Sequence, residues 1–287
     1  MAGIKSTSVV WKQIADMWND YFTSPSRISS DEASKYDEWL RCLNKRNGNP
    51  RALVLGATPE IRDILSARGY RTTIIDINPE MVKAMDSLLK GKSNEKVVIA
   101  NWLENALPSS SFDVVVGDAV LPNITWKEWP KLLSEVKRLL RPGGTFVTRA
   151  FCVPKTQRFN STEELLDAFA RKKPSNRAAL EFTLEVMDFF YDHRSHMATF
   201  KASKDLLTSM GWNRGKRTGR ADLDKTLAIV WDFWCTKFAD KIFIYAYRDE
   251  EEALYRKFFS IKEAYEADHE YSSITPMYIL EPLRQSL

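Results

Sequence analysis

The chain has 287 residues, of which 44% are hydrophobic and 28% charged, with a formal net charge of +4; that length buries one good core with room for elaborations. So mild a basic balance does not by itself indicate nucleic acid, and three widely spaced cysteines (Cys42, Cys152, Cys235) with no Cys-x-x-Cys pair offer neither a zinc site nor a disulfide framework, so a reducing cytoplasm fits. The N-terminus carries no apolar signal core, and no stretch reaches the roughly 18 apolar residues of a membrane span.

Val9 to Phe22 has apolar residues at helical spacing and predicts an amphipathic helix. A Pro/Ser-rich link around Pro25 and Arg27 follows. Ser30 or Asp31 is suited to cap a second helix running to about Asn44. From Ala52 the pattern alternates strand and helix. Ala52–Leu55 is a short apolar strand that ends in a tight turn at Gly56 and feeds a helix from Glu60 to Arg68. Thr72–Ile75 is a second strand, closed by Asp76, twenty positions after the glycine. A helix starts after Asn78-Pro79 and runs through MVKAMDSLLKG, with Pro79 in its first turn. KVVIA and FDVVVG are strands three and four. A helix over WKEWPKLLSEVKRLL and the turn RPGG then precede strand five, TFVTRAF.

Strands joined by single helices imply a parallel sheet with right-handed crossovers. Strands one and four are uniformly apolar, as expected of strands covered on both faces. Residues 155–240 read as mainly helical, with an aromatic segment (ALEFTLEVMDFFYDHRSHMATF) and a basic turn (NRGKRTGR). An acidic-started helix, RDEEEALYRKFF, leads to two further strands, IKEAYEA and MYILEP.

The glycine turn at Gly56 lets backbone approach a ligand closely. The helix after it presents unpaired N–H groups. A carboxylate at Asp76 can take two ribose hydroxyls. Together these predict a nucleoside-binding βαβ unit. The plainer readings are a packing turn for Gly56 and a solvated strand-end acid for Asp76.

Arg51 to Phe151 resembles the class I S-adenosylmethionine-dependent methyltransferases. The resemblance rests on Leu55-Gly56-Ala57-Thr58, on Asp76, on Asn101 to Asp113 (NWLENALPSSSFD) and on Leu139 to Thr145 (LLRPGGT), in the family's order. Two positions depart from the family's usual form. The turn keeps only Gly56, followed by Thr58-Pro59-Glu60, a Gly-x-Thr-Pro-Glu variant. Asn101 stands where an aspartate is common, and its carbonyl can still accept from an adenine amino group.

The resemblance implies S-adenosylmethionine as cofactor. It also implies a cofactor site made of Leu55, Gly56, Ala57, Thr58, Glu60, Asp76, Ile77, Asn101, Trp102, Asp118, Ala119 and Leu121. It further implies a Rossmann-like, doubly wound, mostly parallel seven-stranded sheet with an antiparallel C-terminal edge hairpin. Arg27 is the one fixed cation in its link, and a guanidinium suits a bidentate grip on the methionine carboxylate; its plainer reading is a surface arginine. His193 and His196, three apart on one predicted helix face, are candidate general bases, or else ordinary surface or core histidines. The basic turn (Arg214, Lys216, Arg217, Arg220) suits phosphates or a solvated loop. Three histidines without clustered carboxylates argue against a metal site.

The domain reading is an N-terminal helical lid over 1–50, a cofactor-binding core over 51–153, a helical substrate insertion over 154–240, and a C-terminal helix and strand pair over 241–287. The expected activity is methyl transfer to an O or N nucleophile of a small molecule, with nucleic acid disfavoured. An RNA or protein methyltransferase, a catalytically silent binding protein and an NAD-binding Rossmann protein stay open. The last lacks the second and third fingerprint glycines. Oligomeric state is left open.

Overall fold

The computed structural model describes residues 15–91 and 94–284. The helix expected from Val9 begins outside the described residues; within them Trp18–Tyr21 is helical. The next helix, α1, is Ser30–Asn47. Its cap is Ser29, one or two residues earlier than expected: the Ser29 hydroxyl accepts from Glu32 N (3.1 Å) while the Glu32 carboxylate accepts from Ser29 N (2.6 Å). That reciprocal pair is a capping box. At the other end Gly48, in the left-handed region at φ 67°, stops the helix three residues beyond Asn44.

The core alternates as its sequence predicts. β1 is Arg51–Leu55, α2 Pro59–Ala67, β2 Arg71–Asp76, α3 Pro79–Asp86, β3 Lys96–Ile99, β4 Phe112–Asp118, α4 Trp129–Leu139 and β5 Leu140–Arg149. α3 is shorter than its apolar pattern suggested. Its last turn is closed by the Ser87 hydroxyl, which donates to Ala84 O (2.7 Å), a local bond that competes with helix continuation. Arg141 to Gly144 lie inside β5 rather than before it: Phe112 pairs with Leu140 and Val114 with Thr145, so the Pro-Gly-Gly segment loops out of register between them.

After a second, separate unit come α5, Arg248–Phe258, then the strands Phe259–Tyr265 and Met277–Pro282, named β8 and β9. The sheet order is β3-β2-β1-β4-β5-β9-β8, with β9 antiparallel to both β5 and β8. This is the Rossmann-like sheet with an antiparallel edge pair that the sequence predicts. Its strand order reverses between β1 and β4, so the carboxyl ends of those strands open a crevice. Beneath it, α1 and α2 bury Tyr36, Trp39, Leu40, Ile61 and Leu65 against Val54, Ile74, Val114, Val116 and Val147.

The contacts divide the chain into two units. The first takes in residues up to Trp18, Ser24–Cys152 and Arg248 onward; the second comprises Asn19–Thr23 and Val153–Tyr247. The second unit is helical, with Thr162–Phe169, Asn176–Phe189, Lys201–Ser209 and Ala221–Ile229. It also has a two-stranded ribbon in which β6 (Met197–Thr199) pairs antiparallel with β7 (Ile242–Ile244), so residues 241–247 go with this unit. Its core is aromatic: Phe200 stacks on Trp234 with centroids 5.2 Å apart, and Phe22 meets Trp234 edge-on at 5.5 Å.

Candidate functional site

β1 delivers the chain to Gly56, which adopts φ 97°, a conformation that costs glycine nothing and any other residue strain. Gly56 N donates to Ile75 O at 3.0 Å, joining the turn to the end of β2. A Cβ on Gly56 would lie 3.7 Å from the Trp102 ring and 4.0 Å from Asp76 Oδ2. The missing side chain therefore faces the Asp76 carboxylate and the indole together. Leu55 and Ala57 are buried and fix the turn from below. Thr58 is the cap residue of α2, without a side-chain capping bond, and Pro59 opens the helix.

Asp76 is buried. Its Oδ1 accepts from Asn78 N at 2.7 Å. Asn101 Oδ1 accepts from Leu103 N at 2.9 Å, an Asx turn that seats Trp102. The Trp102 indole N–H donates to Ile75 O at 2.8 Å. Beside them Ile77 is 68% exposed, an apolar surface at the mouth of the crevice. The structure therefore brings Gly56, Asp76, Ile77, Asn101 and Trp102 to the carboxyl ends of β1, β2 and β3.

The charged residues form a second cluster at the ends of β4 and β5. Arg149 is fully buried. Its Nε donates to Asp118 Oδ1 at 2.6 Å, and its Nη1 donates to Pro25 O at 2.9 Å and to Glu32 Oε1 at 3.2 Å. Asp118 is thus held by a guanidinium. Burial raises its pKa against the opposing pull of Arg149, and the neighbouring Glu32 and Glu60 charges raise it further. Burial pushes Glu32 the same way, but Arg149 and the Ser29 N–H outweigh it and leave that carboxyl below its ordinary value. Tyr36 donates to Gly117 O at 2.8 Å and ties α1 to the end of β4.

Arg27 forms an ion pair with Glu60 and lies over the Trp18 ring, 5.8 Å from its centroid. The other Glu60 oxygen, Oε2, is buried without a hydrogen-bond partner. Ala119 adopts φ 46° and donates its N–H to Arg149 O at 2.9 Å. Leu121 is buried at the start of a 3-10 turn.

His193 and His196 are in the second unit, and they do not share a helix face. The helix ends at Phe189, and Asp192 bridges Met197 (N–O 3.0 and 3.3 Å). The Asp192 side chain accepts from Arg194 N (3.0 Å) and from the Ser195 hydroxyl. Side-chain-to-backbone turn chemistry has overridden the helical period here. His193 Nδ1 is 2.9 Å from the Tyr247 hydroxyl, and His196 Nδ1 is 3.3 Å from the Tyr191 hydroxyl, which also donates to Tyr245 O (2.8 Å).

Sequence reasoning did not single out Arg149, Glu32 or Tyr247. Two of them carried a signal: Arg149 is a charge inside an apolar strand, which implies a buried partner, and Ser29-x-x-Glu32 is a capping box. Tyr247 carried none. Among the described residues no group of three or more His, Cys, Asp or Glu is arranged to hold a metal ion. No helix among them is long and apolar enough to cross a membrane.

Residues 55–148 match the family model of the methyltransferase domain. The chain is 24% identical over 173 residues to the ubiquinone/menaquinone biosynthesis C-methyltransferase UbiE of Caulobacter sp. (strain K31), covering 58% of this chain and 60% of that one. It is 28% identical over 145 residues to the thiol S-methyltransferase TMT1B of Mus musculus, covering 47% and 58% respectively. It thus spans about 60% of the length of these curated relatives. The crystal structure of the N-methyltransferase NodS from Bradyrhizobium japonicum WM9, in complex with S-adenosyl-L-homocysteine, superposes with a TM-score of 0.52 at 11% identity, covering 96% of this chain and 99% of that one. At that identity the likeness is one of fold. The domain match indicates S-adenosylmethionine as the cofactor.

Proposed function

We propose that the chain transfers the methyl group of S-adenosylmethionine to a nucleophile of a small molecule. The observation that carries this reading is the juxtaposition at Gly56, where the absent side chain leaves room between the Asp76 carboxylate and the Trp102 ring. The residues present fit the cofactor on two counts: that room, and the buried Glu60 oxygen without a partner. Asp76 holds ribose hydroxyls, Asn101 and Trp102 meet the adenine, and Arg27 with Glu60 receives the charged methionine end.

When bound, the sulfonium supplies an already activated methyl group. The protein's task is then to hold an acceptor in line with the methyl carbon, at about 3 Å. An aromatic face also favours a nearby cation. Where the acceptor must lose a proton, His193 and His196 are the candidate bases that the sequence offers.

Titration calorimetry with S-adenosylmethionine, S-adenosylhomocysteine and NAD tests the reading. Binding of both adenosyl ligands and none of NAD is expected. Tight NAD binding, or no adenosyl binding, overturns it. Association with bulk RNA that falls steeply with salt would move the acceptor to nucleic acid.

A further inference from the structure

A separate pocket opens at the amino ends of the strands, the end of the sheet opposite the Gly56 turn. Its volume is about 440 Å³, within the roughly 300–1,000 Å³ of small-molecule sites. Arg51, Arg71 and Lys96 line it, with Thr73, Asn94 and Glu95 between them. The strand register explains why the cations converge. Arg51 opens β1 and pairs with Arg71, which opens β2; Thr73 pairs with Lys96, which opens β3. Paired residues of neighbouring strands share a face, as do residues two apart on one strand. Arg51, Arg71, Thr73 and Lys96 therefore stand on one face, on strands about 4.8 Å apart.

Like charges side by side on adjacent strands are destabilising, and no acid pairs with these three. Among the described residues none of their side chains forms an ion pair. Asp113 accepts the Arg51 N–H at 2.7 Å, but its carboxylate pairs with the Arg141 guanidinium at 3.0 Å. Glu95 accepts from Arg62 Nε at 3.0 Å and from Arg62 Nη2 at 2.7 Å, and both of those side chains are buried. We propose that this pocket binds a phosphate-bearing small molecule. Arg51 and Arg71 grip the phosphate oxygens, since guanidiniums present paired N–H groups that match them. Lys96 adds a third charge, and Thr73 and Asn94 add neutral donors. Single-stranded nucleic acid fits less well. Of the described residues lining the pocket only Tyr70 is aromatic; it is 8% exposed and its hydroxyl donates to Leu40 O at 2.8 Å, so its ring is not free to stack a base. The site is independent of the cofactor reading: β1 spans five residues, which puts the pocket roughly 15 Å from the Gly56 turn.

The test is calorimetry with inorganic pyrophosphate and with ribose 5-phosphate at fixed ionic strength. It compares the parent, the double variant Arg51→Gln/Arg71→Gln, and Lys96→Gln. The parent is expected to bind both ligands, and pyrophosphate should raise its thermal midpoint. The double variant should bind about tenfold more weakly or worse, the scale of one lost charge-assisted contact, and Lys96→Gln should weaken by a smaller factor. Each substitution relieves like-charge repulsion, so the unliganded midpoints should not fall. No binding by the parent at about millimolar ligand, a scale of roughly 4 kcal/mol, overturns the proposal. So does an affinity that is unchanged in either variant. Bulk RNA that binds the parent, loses affinity in the same variants and is displaced by neither small phosphate would assign the pocket to nucleic acid instead.

Discussion

The indole N–H of Trp102 donates to the Ile75 carbonyl, which also accepts the N–H of Gly56 at the end of the adjacent strand. One carbonyl at the tip of β2 thereby fixes both the glycine turn and the ring that faces it. A side chain at position 56 would meet that ring and the Asp76 carboxylate, and would be strained at φ 97° as well. Gly56→Val is therefore expected to abolish cofactor binding while circular dichroism shows the fold largely retained. A variant that binds normally would show that the turn does not face the ligand.

Asp76 uses one oxygen to accept from Asn78 N, and its other oxygen is the one near Gly56. Removing the carboxylate should weaken S-adenosylmethionine binding by about 2–3 kcal/mol, because hydrogen bonds to a charged group are worth about 1.5–3 kcal/mol each and do not add fully. Calorimetry on Asp76→Ala reads this directly. Equal affinities for variant and parent would remove Asp76 from the site.

The sheet and the glycine turn were legible in the sequence for a physical reason. Doubly covered strands are uniformly apolar, and glycine at φ 97° followed by an acid at the next strand end leaves a short-range pattern. The charged cluster was less legible. Asp118 is expected among the cofactor-site residues; its carboxylate is held by Arg149, whose other partners, Glu32 and Pro25, lie more than a hundred residues earlier in sequence. Local pattern cannot report such long-range pairing. Around His193 the failure was one of competition: apolar spacing predicted more helix, while Asp192 offered the backbone a turn with stronger local bonds.

The His193–Tyr247 contact makes a kinetic prediction. If His193 removes the acceptor's proton, His193→Gln should lower turnover by about 10²-fold or more, the usual worth of a general base, with little change in cofactor affinity. Tyr247→Phe removes the hydroxyl that meets Nδ1 at 2.9 Å, so the acid-side limb of the pH–rate profile, where a general base is lost to protonation, should move while cofactor binding holds. Turnover and pH profile unchanged in both variants would assign the pair a structural role.

Glu251 sets the last expectation. It is fully buried on α5. One oxygen accepts the Tyr255 hydroxyl proton, and the other accepts from the Cys152 thiol at 3.7 Å. Burial pushes its carboxyl from 4.5 up to about 7, opposed by those two donors and assisted by the nearby Glu252 charge. Unfolded, the group would ionise near its ordinary value; folded, it keeps its proton to about neutral. The native state therefore binds the extra proton between these values, and stability falls as pH rises through that interval. The contribution is fully present below about 4.5 and lost above about 7, and it amounts to roughly 3 kcal/mol at about 1.4 kcal/mol per pH unit. Asp188, part-buried and with its pKa raised by desolvation and the Glu185 charge, acts in the same direction, so the comparison must be made against a variant. Urea unfolding of the parent from pH 5 to 8 should show the decline, and Glu251→Gln, which stays neutral throughout, should show a shallower one. Identical slopes in the two proteins would mean that Glu251 ionises in the folded chain as readily as in the unfolded one.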